Sequence, residues 1–295
     1  MDLRQLKVFV EVVRQESFTR AAEQLHIAQP AVSITIRKLE EELEVTLLNR
    51  HEKRVTLTAE GESLLQHAER ILDNLAAAES EMAELRGLTH GEVRIGIPPM
   101  MSSYYFPLII REFRAAYPRL KLSVNGEGAA SIQRMIGKGE LDMGVVTGQK
   151  LIEGLEAQHF LREEIVACVP FDHPLARRPS ISLSEFLQEP LLLFKEGYYM
   201  RELMDDLMAG EKLQPQVVFE TNLFSLVRSL IKQRLGISTF LRMVVSDDPE
   251  LAAVSFDPPL YLDLLIAWKA DRYLSRANRA FIDFLLQRSG APLSS

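Results

Sequence analysis

Apolar residues recur at helical spacing as far as residue 86; from Glu92 they gather into short β-rich runs that alternate with helical stretches. In the first region Leu3, Leu6, Phe9, Val10 and Val13 form a stripe on Asp2–Gln15, broken by Arg4, Lys7, Glu11 and Arg14, which predicts a supporting helix. Thr19 is placed to cap a short helix over Arg20–Leu25, with Ala21, Ala22 and Leu25 facing a core. His26–Ala28 reads as a tight turn. Pro30 then opens a second helix as its first residue, where a missing N–H is tolerated. Along that helix Val32, Ile36, Leu39 and Leu43 lie 4, 3 and 4 residues apart, and Gln29, Ser33 and Arg37 recur on the opposite face. Two short helices and a tight turn fit a helix-turn-helix that offers its polar face to a DNA groove. A solvated corner between two helices would show the same pattern.

The next stretch favours the first reading. Leu47–Leu48 and Val55–Thr58 are short extended pieces flanking a turn that carries Arg50, Lys53 and Arg54. Such a wing suits phosphate or minor-groove contact, which positions a protein without reading sequence. A long helix, Ala59–Arg86, follows. Leu64, Ala68, Ile71, Leu75, Ala78, Met82 and Leu85 fall at steps of 4, 3, 4, 3, 4 and 3, a heptad pattern. Self-association through it would hold two recognition helices at a fixed spacing, suited to paired half-sites in one operator. The competing reading is a helix folded against its own domain, with Leu65 and Leu72 widening the stripe. Gly87–Gly91 ends the helix.

Beyond it, VRIGI, LKLSV and LDMGVV alternate with helical patterns at Tyr105–Ala116 and Ala130–Lys138, implying a parallel α/β unit. A second set follows: EIVACV, helix Leu183–Leu187 with Ser182 and Glu185 as a capping box, LLLF, helix Met200–Met208, QVVFE, helix Leu223–Gln233 and GISTF. YLDLLIAW is a late strand, and Arg276–Leu286 a closing helix. Joining strands near Leu161–Glu164 and Ile266–Lys269 would leave a cleft between two subdomains, a natural place for a small ligand. Loops after strands supply its candidate lining: Pro98, Met100, Ser102 and Ser103, then Gly128 and Ala129, Thr147, Phe194 and Thr221. Their hydroxyls and helix-start N–H groups suit a carboxylate or similar anion, although any single one could simply be a cap.

Composition narrows the class. At 295 residues, 47% hydrophobic and 25% charged, the chain suits an ordinary globular protein of two or three units. A net charge of −7 argues against indiscriminate nucleic-acid binding. Residues 1–57 carry nine Lys/Arg against nine Asp/Glu, so any DNA-binding field comes from arrangement: Arg37, Lys38, Arg50, Lys53 and Arg54 stand apart from the acidic Glu40–Glu44 run. A single cysteine, Cys168, sits in the apolar EIVACVP and reads as core, which fits a reducing compartment. No leader-like or membrane-spanning run is evident, so the expected location is the cytoplasm, without membrane association.

AAEQLHIAQPAVSITIRKLEEELEVTLLNR followed by VTLTAEG resembles the N-terminal winged helix of the LysR-type transcriptional regulators. The likeness continues more loosely through EFRAAYP, GELDMGVV and the domain order. It departs at Ala28, where Ser is usual, at Glu44, where Gly is usual, and at Leu48, where Phe is usual. The resemblance implies an α/β chain with an N-terminal all-α winged helix-turn-helix over 1–58. A dimerisation linker helix over 59–88 follows, then an effector-binding region over 92–291 resembling periplasmic binding proteins. Within that region subdomain I is expected at about 92–162 plus 268–291, and subdomain II at about 163–267. The implied function is sequence-specific control of transcription. Expected partners are double-stranded DNA, a small organic effector in the cleft, a second copy or a dimer of dimers, and RNA polymerase. Ser or Thr is usual in the family where Met100 stands, which implies a more apolar effector here. No cofactor, metal or catalytic residue is expected: the histidines lack metal-ligand spacing, Ser131 breaks a G-x-G-x-x-G fingerprint after Gly126, and no G-x-S-x-G is present. Alternatives are a ligand-independent architectural DNA binder and a small-metabolite enzyme with an accessory helical domain.

Overall fold

A computed structural model describes residues 1–49, 55–85, 91–148, 151–209 and 215–290. The chain forms two units, Met1–Arg86 and Gly87–Ser295, each built on its own core.

In the first unit, α1 (Leu3–Gln15) starts at a capping box in which Asp2 and Gln5 exchange side-chain and backbone hydrogen bonds. The helix is buried on more than the expected stripe. Val8 and Val12 join Leu6, Phe9 and Val10 in the core, while Leu3 is exposed, because α1 packs against several helices at once. It ends at Glu16 in the left-handed region (φ 50°), and the chain restarts extended at Ser17. That reversal makes Ser17, not Thr19, the cap of α2 (Phe18–Gln24): its hydroxyl accepts from the Arg20 N–H at 3.4 Å. Thr19 already lies inside the helix. After a turn with His26 at φ 53°, α3 (Gln29–Leu43) begins at Ala28, which makes no side-chain cap. Pro30 is its second residue rather than its first, still within the turn whose N–H groups have no helical partner.

α3 closes on Glu44 at φ 57°. An L-residue there costs about 1–2 kcal/mol, and glycine gives back roughly half of the gain through unfolded-chain entropy. Glu44→Gly should therefore stabilise the first unit by about 0.5–1 kcal/mol, read as a rise in its urea midpoint at unchanged slope. A fall in the midpoint would show that the Glu44 side chain contributes more than its backbone costs.

β1 (Leu48–Asn49) and β2 (Thr56–Leu57) pair antiparallel as the base of the wing, with Leu47 and Leu48 buried beneath. α4 (Ala59–Leu85) then packs its first half back on this core. Ala68 is fully buried there, and Leu64, Leu65 and Leu72 lie against it. Of the heptad positions expected to pair with a second copy, Leu64 and Ala68 are thus corrected: they are committed to the core of their own unit.

The second unit is α/β. β3 (Glu92–Gly96), α5 (Pro99–Tyr104), α6 (Phe106–Ala116), β4 (Lys121–Asn125), α7 (Ala129–Gly137) and β5 (Met143–Thr147) place three parallel strands in the order β4-β3-β5. The chain continues through β6 (Leu155–Pro170), β7 (Ser180–Ile181), α8 (Leu183–Leu187), β8 (Leu191–Phe194), α9 (Tyr199–Ala209), β9 (Val217–Thr221) and α10 (Phe224–Lys232). It closes with β10 (Ser238–Leu241), α11 (Arg242–Val245), β11 (Leu251–Lys269) and α12 (Arg276–Ser289). The capping box of α8 forms as its sequence predicts.

β6 and β11 pair antiparallel from end to end, interrupted between Ser255 and Leu260, and run through both lobes of this unit. At one end β10 joins β6 and β7 joins β11; at the other, β11 pairs with β5 from Leu264 onward. The change of partners falls between Phe256, the last residue paired with β7, and Leu264, the first paired with β5. The second crossing was expected near Ile266–Lys269, with subdomain II reaching 267. That stretch belongs to β11 and pairs with β5 through Trp268, whereas Pro258–Pro259, whose missing N–H groups interrupt the ladder with β6, lie earlier in the same strand.

Candidate functional site

Three surfaces answer the sequence expectations. On α3, Gln29, Pro30 and Arg37 are exposed and Ser33 is half-buried, above a seam of Val32, Ile36 and Leu39 that is wholly buried. Gln29 Nε2 donates to Ser33 Oγ at 3.0 Å, so the two polar residues at the helix start are oriented by each other. Thr35 turns its hydroxyl back to donate to the Ala31 carbonyl at 2.8 Å. Arg50, Lys53 and Arg54 of the wing lie outside the described residues.

On α4, below the buried positions, Ile71 and Met82 are 38% and 49% exposed. Ala78 is exposed and Leu75 half-buried; the Leu85 side chain lies outside what is described.

In the second unit a small cavity of about 60 Å³ opens between the lobes. Pro98, Met100, Gly128, Ala129, Thr147 and Phe194 line it, as expected. Pro99, Met101, Tyr198, Tyr199, Met200 and Asn222 join them, with Phe224, Leu241, Leu262 and Leu264 completing the wall. No charged side chain is among these. The N-terminal ends of α5, α7, α9 and α10 all reach it, two from each lobe; α7 starts at Gly128 and α10 at Leu223 without side-chain caps. Burial, reinforced by Asp206, Asp263 and Glu202, raises the Tyr199 pKa and keeps its phenol a donor. A larger chamber of about 270 Å³ adjoins, bordered by Gln133, Arg134 and Glu202 and sharing Ala129, Thr147 and Tyr199 with the first.

Ser102, Ser103 and Thr221 are absent from this lining. Residues 98–103 were expected to form a loop, but α5 begins at Pro99, since proline is tolerated in a first helical turn. Ser102 Oγ consequently bonds the Pro99 carbonyl at 2.9 Å, and Ser103 faces outward. Thr221 is buried with its hydroxyl accepting from the Leu223 N–H at 3.2 Å, and the next residue, Asn222, reaches the cleft instead. Leu262 and Leu264 went unanticipated because they lie inside a strand. Only their two-residue spacing marked them as sharing a face.

Comparison with known proteins decides the family. Residues 3–62 match the bacterial regulatory helix-turn-helix proteins of the lysR family, and residues 86–290 match the LysR substrate binding domain. The chain is a LysR-type transcriptional regulator. It is 33% identical over 288 residues to the HTH-type transcriptional regulator YwbI of Bacillus subtilis, covering 96% of this chain and 95% of that one. YcgK of the same organism is 31% identical over 303 residues, covering 96% and 93%. Full-length OxyR from Pseudomonas aeruginosa shares the fold with a TM-score of 0.75 at 23% identity, over 97% of this chain and 94% of that one. As a member of this family, the regulator binds DNA through its winged helix and responds to a small molecule through its α/β region.

Two further features of the regulator bear on that response. Where β6 passes between lobes, Glu164 holds Arg242 of α11 at 2.6 Å, and Arg242 also reaches Ser255 Oγ at 2.8 Å. The Arg242 hydrogen bond lowers the Glu164 pKa, whereas burial raises that of Glu163, whose carboxylate accepts from the Met243 N–H at 3.0 Å. These contacts tie the end of one lobe to the crossing strands. Cys168 is fully buried near the end of β6, and burial pushes its thiol pKa up to about 12, so it stays a protonated core residue.

Proposed function

We propose that this regulator senses a small, largely apolar carboxylate bound between the lobes of its second unit. One observation carries the reading: an apolar cleft, uncharged along its lining, to which the first residues of α5, α7, α9 and α10 contribute from both lobes. Unpaired N–H groups and helix dipoles favour an anionic head, while Met100, Phe194, Met200, Leu241, Leu262 and Leu264 suit an apolar body. Thr147 and Asn222 supply the orienting polar contacts. A ligand touching both lobes binds their two arrangements with different affinity, and that difference is the thermodynamic lever. Tyr104 extends the path. Its ring meets Phe224 edge-on at 6.3 Å and the Arg228 guanidinium at 5.6 Å, joining α5 to α10 behind the cleft.

The assembly reading goes with it. The exposed residues Ile71, Ala78 and Met82 of α4, with Leu75, form a seam with a second copy, giving a dimer or a dimer of dimers. That fixes two recognition helices on paired half-sites. Gln29, Pro30, Ser33 and Arg37 read base edges, and Arg50, Lys53 and Arg54 hold the backbone. The protein acts in the cytoplasm, and RNA polymerase is the expected downstream partner.

A thermal-shift screen of small carboxylates finds the ligand, and operator titration tests the site. Thr147→Val keeps shape but removes a hydroxyl, and should weaken the effector midpoint by about 1–3 kcal/mol with effector-free operator affinity unchanged. A wild-type midpoint in this variant would place the ligand elsewhere.

A further inference from the structure

The exposed stripe of α3 contains one residue that does not belong on a solvated surface. Pro30, Ile34, Arg37 and Lys38 recur at three- and four-residue spacing and are all exposed. Ile34 leaves 51% of its surface in water, while the isoleucine two positions on, Ile36, is wholly buried. It does not pack on the core of its unit. A β-branched residue is also a poorer helix former than the Lys, Arg or Gln that would serve a merely solvated position. Neither stability nor solubility therefore accounts for an isoleucine there.

Its neighbours say what would cover it. Ile34 directly follows Ser33 and precedes Arg37 by one helical turn, in the N-terminal half of the recognition helix, the part that meets base edges in helix-turn-helix complexes. A major groove displays donors and acceptors throughout and one apolar group, the C5-methyl of thymine. We propose that Ile34 is a specificity-determining residue that packs against a thymine methyl in each half-site. Polar residues around it fix register; Ile34 distinguishes a T·A pair by shape and desolvation alone. This adds to the family's DNA binding a base preference set by this chain's own side chain.

Deoxyuridine provides the test, because it pairs as thymine does and lacks only the methyl. Full-length protein selects its sites from a randomised duplex pool. Each thymine of a selected, fluorescein-labelled site is then replaced singly by deoxyuridine, and binding is followed by anisotropy. Burying one methyl is worth about 0.8 kcal/mol, or about fourfold. Wild type should lose about fourfold at one thymine per half-site and about sixteenfold when both half-sites are changed. Ile34→Ala should bind the T and U forms of that position alike. Ile34→Val should fall between, and the salt slope should stay constant, since no phosphate contact is altered. Ile34 is exposed and a weaker helix former than alanine, so neither variant should melt below wild type. Equal T and U affinity at every wild-type thymine would overturn the proposal. So would an Ile34→Ala variant with an unchanged T-to-U ratio, or one that weakens all sequences by one factor together with a change in mass, which would assign Ile34 to a contact between copies.

Discussion

An Ile71→Asp chain should run as a monomer with both units folded, and should lose operator affinity by about 10²–10⁴-fold. The size follows from linkage: in a dimer the second winged helix binds at an effective concentration set by the tether, and that gain vanishes when the copies part. Ile71 is the first position of the heptad series that leaves the unit's own core, at 38% exposure. A carboxylate there costs little in a lone chain and much in an apolar seam between helices. Ala68, one step earlier, is fully buried against the N-terminal core, so Ala68→Asp should instead unfold the winged helix itself. Light scattering and a far-ultraviolet melt separate the outcomes. A dimeric Ile71→Asp protein would remove α4 from the assembly, whatever happened at the operator.

That pair of positions also marks how far the sequence could be read. The heptad of α4 was plain, but a repeat of apolar residues does not say which partner they meet, and α1 takes the first of them. Regular elements whose residues all agree were legible: α8 with its capping box, β8 as LLLF, and the buried seam of α3. Prolines misled. Pro98–Pro99 reads as a loop yet opens α5, because the first helical turn needs no N–H from them. Pro258–Pro259 drew no reading of their own, yet they lie within β11, at the irregularity in its pairing with β6. The cleft was found by looking after strand ends, which gave Met100, Gly128, Thr147 and Phe194. That rule passes over walls built from strand interiors and from the first turns of α9 and α10, so Leu262, Leu264, Tyr199 and Phe224 emerged only with the fold.

Gly128→Ala should uncouple the sensor while leaving DNA binding intact. Gly128 begins α7 in one lobe at φ −68°, a backbone any residue adopts, so strain in its own conformation is not at issue. Space is. A Cβ at Gly128 would meet the carbonyl oxygen of Gly197 at 2.6 Å, and Gly197 belongs to the turn between β8 and α9 in the other lobe. Gly197 itself sits at φ +87°, a backbone that favours glycine. The two lobes can approach as they do here because Gly128 lacks a side chain; a Cβ at Gly197 would meet nothing within 4 Å. One methyl forces the lobes apart at the mouth of the cleft, where Ala129, Tyr198 and Tyr199 line the cavity from both sides. Overpacking of this kind costs about 1–3 kcal/mol, which by linkage is taken from effector affinity and amounts to about 5- to 150-fold in the midpoint. Gly126→Ala is the control two residues away: its Cβ would meet nothing within 4 Å, and its response should match wild type. Both variants are titrated with the carboxylate found by thermal shift, with operator binding as the readout. If Gly128→Ala responds at the wild-type midpoint, closure across Gly128 and Gly197 is not part of the response, and the effector acts without drawing the lobes together at that point.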